Sequence, residues 1–203
     1  MTESIRTAAV IGAGVMGSAI AAHLAGAGVK THLLDIVPPG LTDKERSQPK
    51  ARNRFADGGL DKALKAKPAA FYDPEAARLV QTGNLEDNLD RLAECDLVIE
   101  AIVEDLAIKQ KLFETIAPVL SPNAILASNT SGLSIAKMSA ALPAQLRPQF
   151  LVLHFFNPVR YMRLLEVAPG PETRPDLLER MARFGEWLGK GIVYAKDTAN
   201  FVG

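Results

Sequence analysis

Residues 10–20, VIGAGVMGSAI, decide the predicted fold of this protein. The stretch has the spacing G-x-G-x-x-G, formed by Gly12, Gly14 and Gly17. An apolar run typical of a buried strand precedes the glycines at residues 5–11, and a run of small residues typical of a helix follows them at residues 15–28. A second apolar run, at residues 30–36, completes a βαβ unit and predicts a parallel pair of strands.

The glycine-rich turn predicts a binding site for the pyrophosphate of a dinucleotide. The first glycine permits the tight turn, the second lets the backbone approach the phosphates, and the third allows the helix and strand to pack closely. Free N–H groups at the start of the helix favour an anion there. We therefore assign to the cofactor site Gly12, Gly14, Val15, Met16 and Gly17. A glycine-rich turn that serves only packing is the alternative.

Asp35 ends the second predicted strand and indicates which dinucleotide binds. A carboxylate in this place accepts hydrogen bonds from ribose hydroxyls and repels a 2′-phosphate. Ile36 and Val37 follow it, where an NADP site usually offers an arginine. The sequence therefore favours NAD as the cofactor. The alternative role for Asp35 is to cap the end of its strand.

The rest of the chain alternates between strand-like and helix-like runs. Short apolar runs typical of buried strands lie at residues 96–102, 123–129, 150–156 and 191–197, and helical patterns lie at residues 104–120, 133–142 and 175–190. This alternation predicts an α/β fold with a doubly wound, mainly parallel sheet of the Rossmann type over residues 1–203. Residues 42–82 are polar, and we predict a helical insertion there, either over the substrate site or exposed to solvent.

Composition excludes several classes of function. Lys and Arg together number 23, as do Asp and Glu, so no net charge attracts nucleic acid or an anionic membrane. No apolar run approaches the roughly 20 residues of a membrane span, and the N-terminus lacks the pattern of an export signal. With Cys95 as the single cysteine, we expect a cytoplasmic protein. The last residues carry no polar terminating signal, which suggests a piece of a longer polypeptide.

Polar residues follow two of the predicted strands. The segment SNTSG follows one strand at residues 128–132, and HFFNP ends another at residues 154–158. In open α/β sheets, ligands bind at the carboxyl ends of the parallel strands. We therefore expect six side chains to converge near the nicotinamide: Ser128, Asn129, Thr130, Ser131, His154 and Asn157.

Five ordered motifs resemble the NAD-binding domain of the 3-hydroxyacyl-CoA dehydrogenases. They are GAGVMGSAIA, DLVIEAIVEDLAIKQKLF, ILASNTSGLSI, LHFFNPVRYMRLLEV and KDTANFVG. They cover nearly the whole chain apart from the insertion, which looks like that of large bacterial fatty-acid oxidation proteins carrying this domain at the front. The resemblance implies oxidation of an L-3-hydroxyacyl-CoA to the 3-ketoacyl-CoA in fatty-acid β-oxidation, with hydride transfer to NAD.

The resemblance implies catalytic roles for His154 and Glu166. In the family, the histidine of HFFNP is the general base and the glutamate of RLLEV is its partner. Loss of a hydride from a carbinol carbon requires that the hydroxyl proton leave too, and a neutral imidazole accepts protons near neutral pH. The carboxylate would fix the tautomer of the ring and stabilise the imidazolium. The alternative is that His154 is a hydrogen-bonded residue of the core.

Four more residues are assigned by the resemblance, and no metal site is implied. Ser131 resembles the serine that hydrogen-bonds the reacting oxygen, and Asn157 resembles the asparagine that lines the nicotinamide pocket. Turn and cap chemistry is the alternative for these two. Glu104 and Lys109 match residues that the family places beside the cofactor. Their alternative is an exposed pair on one face of a helix.

The implied acyl-CoA substrate requires cations for its phosphates, and Lys62, Lys65 and Lys67 of the insertion are candidates. The sequence departs from the family at Ala199 and Asn200, where a proline and a glycine are typical. A functional asparagine and an all-helical domain, which usually forms a homodimer interface, follow the family motif but are absent from this sequence. We therefore expect this polypeptide to bind NAD(H) but to turn over acyl-CoA poorly.

Two other functions are compatible with the sequence. A dehydrogenase acting on another hydroxy acid shares GAGVMG with this chain, but such enzymes mostly rely on a catalytic lysine. A non-catalytic NAD-binding or structural protein would keep the fold without the reaction.

Overall fold

A computed structural model describes residues 5–198, and in this range eight strands form one sheet. The strands are β1 (Thr7–Ile11), β2 (Lys30–Asp35), β3 (Val80–Asn84), β4 (Leu97–Glu100), β5 (Ile125–Ser128), β6 (Phe150–Phe155), β7 (Leu164–Pro169) and β8 (Gly191–Tyr194). Their order in the sheet is β3-β2-β1-β4-β5-β6-β7-β8. Strands β1 to β6 run parallel, whereas β7 is antiparallel to β6 and parallel to β8. The predicted doubly wound, mainly parallel sheet is confirmed.

Helices cover both faces of the sheet. They are α1 (Val15–Gly26), α2 (Asp43–Arg46), α3 (Pro49–Arg52), α4 (Arg54–Lys65), α5 (Leu106–Ile116), α6 (Ile135–Ser139) and α7 (Pro175–Trp187). Short 3₁₀ turns lie at Pro74–Leu79, Leu89–Glu94, Ala117–Val119 and Arg147–Gln149. One apolar layer contains residues of α1, α4 and α7, and the other contains residues of α5 and α6. This arrangement leaves the strand ends open to a ligand.

Each central strand contributes to both apolar layers. Val10 and Leu33 belong to one layer, and their neighbours Ile11 and Leu34 belong to the other. Successive residues of a strand point to opposite faces, so a strand covered on both sides needs apolar residues throughout. The continuous apolar runs in the sequence have this cause.

The turn between β1 and α1 depends on missing side chains. Gly12 has φ of +102°, and a Cβ atom there would lie 2.6 Å from the carbonyl oxygen of Ala101. A Cβ atom on Gly17 would lie 1.8 Å from the carbonyl oxygen of Gly12. Both contacts are far below van der Waals distance, so β1, α1 and the end of β4 approach one another only with glycine at these two positions.

The segment after β2 contains three helices, but the strand β3 within it was not predicted. β3 begins at Val80, so residues 42–82 include the start of this strand. Its sequence, VQTGN, has no continuous apolar run, because an edge strand pairs on one side only. The helix α4 packs on the glycine turn, since a Cβ atom on Gly59 would lie 2.5 Å from the carbonyl oxygen of Ala13.

Ala199 and Asn200, where the sequence departs from the resembling family, lie outside the described residues.

Between residues 5 and 198, none of the helices combines the length and the apolar character needed to cross a bilayer.

Replacement of Phe113 by Ala tests the apolar layer beneath α5. Phe113 is fully buried and meets Phe150 edge-on, with ring centroids 5.4 Å apart. We expect the free energy of unfolding to fall by about 3–5 kcal/mol, because a large buried aromatic leaves a cavity. Urea denaturation measures this change. Glu114→Ala, on the exposed side of the same helix, should change it by less than about 0.5 kcal/mol. Equal effects of the two substitutions would contradict the assigned packing.

Candidate active site

A cleft of about 1050 Å³ lies at the carboxyl ends of the strands. The strand order reverses between β1 and β4, which is where ligands bind in open α/β sheets. The cleft brings together nine of the predicted site residues: Gly12, Gly14, Val15, Met16, Asp35, Glu104, Ser131, His154 and Asn157. The other three, Gly17, Lys109 and Glu166, are buried behind its wall.

The glycine turn and Asp35 form one end of the cleft. Gly14 precedes α1 as its N-cap, and a Cβ atom there would meet no atom of the described chain within 4 Å. Backbone N–H groups are therefore accessible to a phosphate at the positive end of α1. Asp35 accepts hydrogen bonds from the backbone N–H of Ala13 at 2.6 Å and of Ile36 at 2.7 Å. It does cap backbone groups, but a carboxylate has about four acceptor positions, so capping and ribose binding are compatible.

The opposite part of the cleft contains a histidine held by a buried carboxylate. His154 on β6 and Glu166 on β7 are direct partners in the antiparallel register. The Nδ1 atom of His154 lies 2.7 Å from Oε2 of Glu166. The side chain of His154 is 15% exposed, that of Glu166 is fully buried, and the imidazole packs against the Phe156 ring with centroids 4.4 Å apart. The carboxylate therefore orients the ring from behind.

A buried ion pair that was not predicted supports the floor of the cleft. Glu100 ends β4, and one of its carboxylate oxygens lies 2.6 Å from Nζ of Lys109. The other oxygen accepts a hydrogen bond from the hydroxyl of Ser128 at 2.5 Å. Lys109 is 1% exposed, so the alternative of an exposed pair on one face of a helix is wrong. The signal that was available is a glutamate inside the apolar run DLVIEAI, the same feature that singles out Glu166 in LLEVA.

Glu104 holds the loop that carries Ser131. Its Oε1 atom accepts a hydrogen bond from the Thr130 hydroxyl. The same oxygen accepts hydrogen bonds from the backbone N–H groups of Ser131 and Gly132, both at 3.1 Å. Burial raises the pKa of Glu104, but these hydrogen bonds and the charge of Lys109, 3.3 Å away, lower it further than burial raises it. Glu104 is therefore stabilised as a carboxylate, and it fixes the backbone of this loop.

Two of the six polar side chains expected in the cleft do not reach it. Ser128 and Thr130 are fully buried, and their hydroxyls donate to Glu100 and Glu104. They lie below the surface because the buried ends of the Glu100 and Glu104 carboxylates require hydrogen-bond donors. Their role is to support the loop rather than to contact a ligand.

A second cavity, of about 450 Å³, lies between α1, α4 and residues 157–160. Lys62 and Lys67 line it, whereas the side chain of Lys65 is 80% exposed and is not part of its wall. Arg160 also lines it and donates a hydrogen bond to the carbonyl oxygen of Phe71 at 2.9 Å. Two of the three candidate lysines therefore line a partly open pocket next to the glycine turn.

Comparison with known proteins identifies the family. The model of the 3-hydroxyacyl-CoA dehydrogenase NAD-binding domain matches residues 7–198. The chain belongs to this family. NAD is therefore its cofactor, as the glycine turn and Asp35 predicted, and the two alternative functions are not favoured.

Relatives of this NAD-binding domain are longer than the chain. A probable 3-hydroxyacyl-CoA dehydrogenase of Bacillus subtilis is 44% identical over 209 residues, which are 100% of this chain and 26% of that protein. One from Deinococcus radiodurans is 46% identical over 199 residues, 98% of this chain and 55% of that protein. The solved structure of (S)-3-hydroxybutyryl-CoA dehydrogenase from Ralstonia eutropha has a TM-score of 0.77 at 30% identity, over 98% of this chain and 66% of that one. The domain thus spans about a quarter to about half of the two curated relatives.

Replacement of Lys109 by Met tests the buried ion pair of this NAD-binding domain. The substitution leaves the Glu100 carboxylate buried without its ammonium partner, and we expect a loss of about 3–5 kcal/mol in the free energy of unfolding. The double variant E100M/K109M should recover much of the loss, since it removes both buried charges. Urea denaturation measures both effects, and Lys111→Met, at an exposed position of α5, is the control. A loss as small as that of the control would contradict a buried pair.

Proposed function

We propose that this domain takes part in the NAD-dependent oxidation of an L-3-hydroxyacyl-CoA to the 3-ketoacyl-CoA. The observation that carries the proposal is the contact of 2.7 Å between His154 and the buried Glu166, at the edge of the cleft that begins at the glycine turn. An imidazole in this place can take the proton that must leave as the hydride departs. The family match supports the same reaction.

In the proposed reaction, His154 acts as the general base. NAD supplies the acceptor for the hydride that leaves carbon 3 of the substrate. With Glu166 as the carboxylate acceptor of the contact to Nδ1 of His154, the hydroxyl proton would pass to Nε2. The C3–O bond becomes a carbonyl as the O–H and C3–H bonds break. The imidazolium that forms is stabilised by the Glu166 carboxylate, which is fully buried and so acts at short range in a medium of low polarity.

The other predicted residues serve the cofactor and the reacting oxygen. Gly12, Gly14 and the first residues of α1, Val15 and Met16, would hold the pyrophosphate, as the open space at Gly14 supports. Asp35 would accept hydrogen bonds from the adenosine ribose. Further along the cleft, the Ser131 hydroxyl would donate to the substrate oxygen and Asn157 would line the nicotinamide pocket. Glu104, braced by Lys109, would hold the loop that carries Ser131.

The smaller cavity is a candidate site for the CoA part of the substrate. Lys62 and Lys67 line it, and ammonium groups favour the phosphates of CoA. Its wall includes Asn157, which also lines the cofactor cleft, so the two spaces adjoin.

A cytoplasmic location and a homodimer remain predictions from the sequence.

Replacement of Asp35 by Asn tests the cofactor site. We expect the dissociation constant for NADH to rise about 10- to 100-fold, because hydrogen bonds to a charged acceptor contribute roughly 1.5–3 kcal/mol. A fluorescence titration with NADH measures it. Asp73→Asn is the matched control, because Asp73 caps a 3₁₀ turn and does not line the cleft. If both variants bind NADH like the unmodified chain, Asp35 does not contact the ribose.

Replacement of His154 by Gln tests the general base. We expect the rate of NADH oxidation with acetoacetyl-CoA to fall about 10²- to 10⁴-fold, the range for loss of a general acid or base, with the affinity for NADH unchanged. The comparison is between variants of the same polypeptide, so it does not depend on the absolute rate. His32→Gln, on β2 and outside the cleft, is the control. A His154→Gln variant with the original rate would contradict the proposal and favour a reaction based on a lysine.

A further inference from the structure

We infer that Asp197 is a positioning residue for Ser131: it holds the far end of the loop that carries this serine. The inference rests on the proposed function only in the role it gives Ser131. The loop connects β5 to α6, and Glu104 holds its first half through the backbone of Ser131 and Gly132. Its second half is held by a carboxylate from a distant part of the chain.

Asp197 binds three donors at the start of α6. One carboxylate oxygen accepts a hydrogen bond from the backbone N–H of Ile135 at 2.9 Å. The other accepts from the backbone N–H of Ala136 at 2.9 Å and from the hydroxyl of Ser134 at 3.2 Å. The first N–H groups of a helix have no partner within the helix, and a carboxylate there satisfies them and interacts favourably with the helix dipole.

The helix α6 cannot fix the loop by itself. It has five residues, and helices this short have little stability of their own. The Ser134 hydroxyl also accepts from the backbone N–H of Lys137, at a longer distance of 3.4 Å. Besides the burial of Ile135 and Met138 in the apolar layer, two carboxylates hold the loop, Glu104 on one side and Asp197 on the other.

Asp197 reaches α6 from the far edge of the sheet. It follows β8, which is the last strand in the sheet order, whereas α6 follows β5 near the centre. The backbone N–H of Ala195 still bonds to the carbonyl oxygen of Val167 on β7, at 3.0 Å. Two residues later, the Asp197 carboxylate contacts the start of α6. These hydrogen bonds join residues that lie 61–63 positions apart in the sequence.

Asp197 acts through the backbone and does not contact the cofactor cleft. It lines a separate small cavity together with Ser134 and Lys137, whereas Ser131 and His154 line the cleft itself. Loss of the anchor would shift Ser131 relative to His154 and leave the glycine turn in place. The expected signature is a change in kcat with an unchanged affinity for NADH, because geometry at the reacting atoms is lost while cofactor binding is kept.

The first test measures amide hydrogen exchange by mass spectrometry in Asp197→Asn and Asp197→Ala. We expect the amides of Ser131 and Gly132, which do not touch Asp197, to exchange at least about tenfold faster, because the loop loses one of its two anchors. The variant Asp73→Asn, which alters a cap elsewhere, should leave these amides unchanged. Faster exchange confined to residues 135 and 136 would overturn the inference, since the role of Asp197 would then be local capping.

The second test measures kcat for NADH oxidation with acetoacetyl-CoA, together with the dissociation constant for NADH. We expect kcat to fall about 10- to 100-fold in Asp197→Asn, as for a displacement of a catalytic group by up to about 1 Å. The affinity for NADH should stay constant, and Asp197→Glu, which keeps the carboxylate, should recover part of the rate. An unchanged kcat in Asp197→Asn, beside a measurable rate of the unmodified chain, would overturn the inference.

Ser134→Ala serves as a second variant if Asp197→Ala does not fold. It removes one of the three donors and leaves the carboxylate, and the amides of Ser131 and Gly132 should still exchange faster. An unchanged exchange rate there, together with an unchanged kcat in Asp197→Asn, would again overturn the inference. If the unmodified chain binds NADH but does not act on acetoacetyl-CoA, the proposed function fails, while the exchange of Ser131 and Gly132 still decides whether Asp197 positions the loop.

Discussion

The contact between His154 and Glu166 depends on the reversal of strand direction between β6 and β7. β7 runs antiparallel to β6, so a short turn suffices to bring the two residues to the same register position, where side chains lie about 5 Å apart at Cβ. A parallel neighbour would need a long crossover. Glu166 is fully buried, and a buried carboxylate is stable only with hydrogen-bond partners. The packing of the last strands and the proposed chemistry of the cleft therefore both require the contact between His154 and Glu166.

The sequence predicts most of the fold because its requirements are local. The glycine turn needs glycine for steric reasons that involve only β1, α1 and one neighbouring strand end. Strands that are buried on both faces appear in the sequence as continuous apolar runs. Neither rule applies to β3, whose side chains Gln81 and Thr82 are exposed or partly exposed and whose pairing is with β2 alone. Its position is decided by tertiary contacts, including those of Gly83 with Leu34 and Asn88.

The site was predicted less completely than the fold, and the reason is register. Sequence indicates which residues follow a strand but does not give the pairing between strands. Ser128 is the register partner of Glu100, so the two side chains share one face of the sheet and form a hydrogen bond. Ser131, three residues later, has left the strand and lines the cleft. Whether a polar residue supports the site or contacts a ligand is therefore decided by one or two positions along the chain.

Carboxylates, rather than long helices, fix the loops of this cleft, and that couples stability to the geometry of the site. The pKa of Glu104 is lower in the folded protein than its ordinary value, so the folded state favours the charged form. Its contribution to stability is fully present above the unfolded pKa and is lost as the pH falls through the folded pKa. Because the same carboxylate accepts the N–H groups of Ser131 and Gly132, protonation in acid would loosen this loop before the apolar layers are affected. Acid loss of loop geometry and acid loss of stability therefore share one group, and in the proposed reaction His154 must also be neutral to accept a proton.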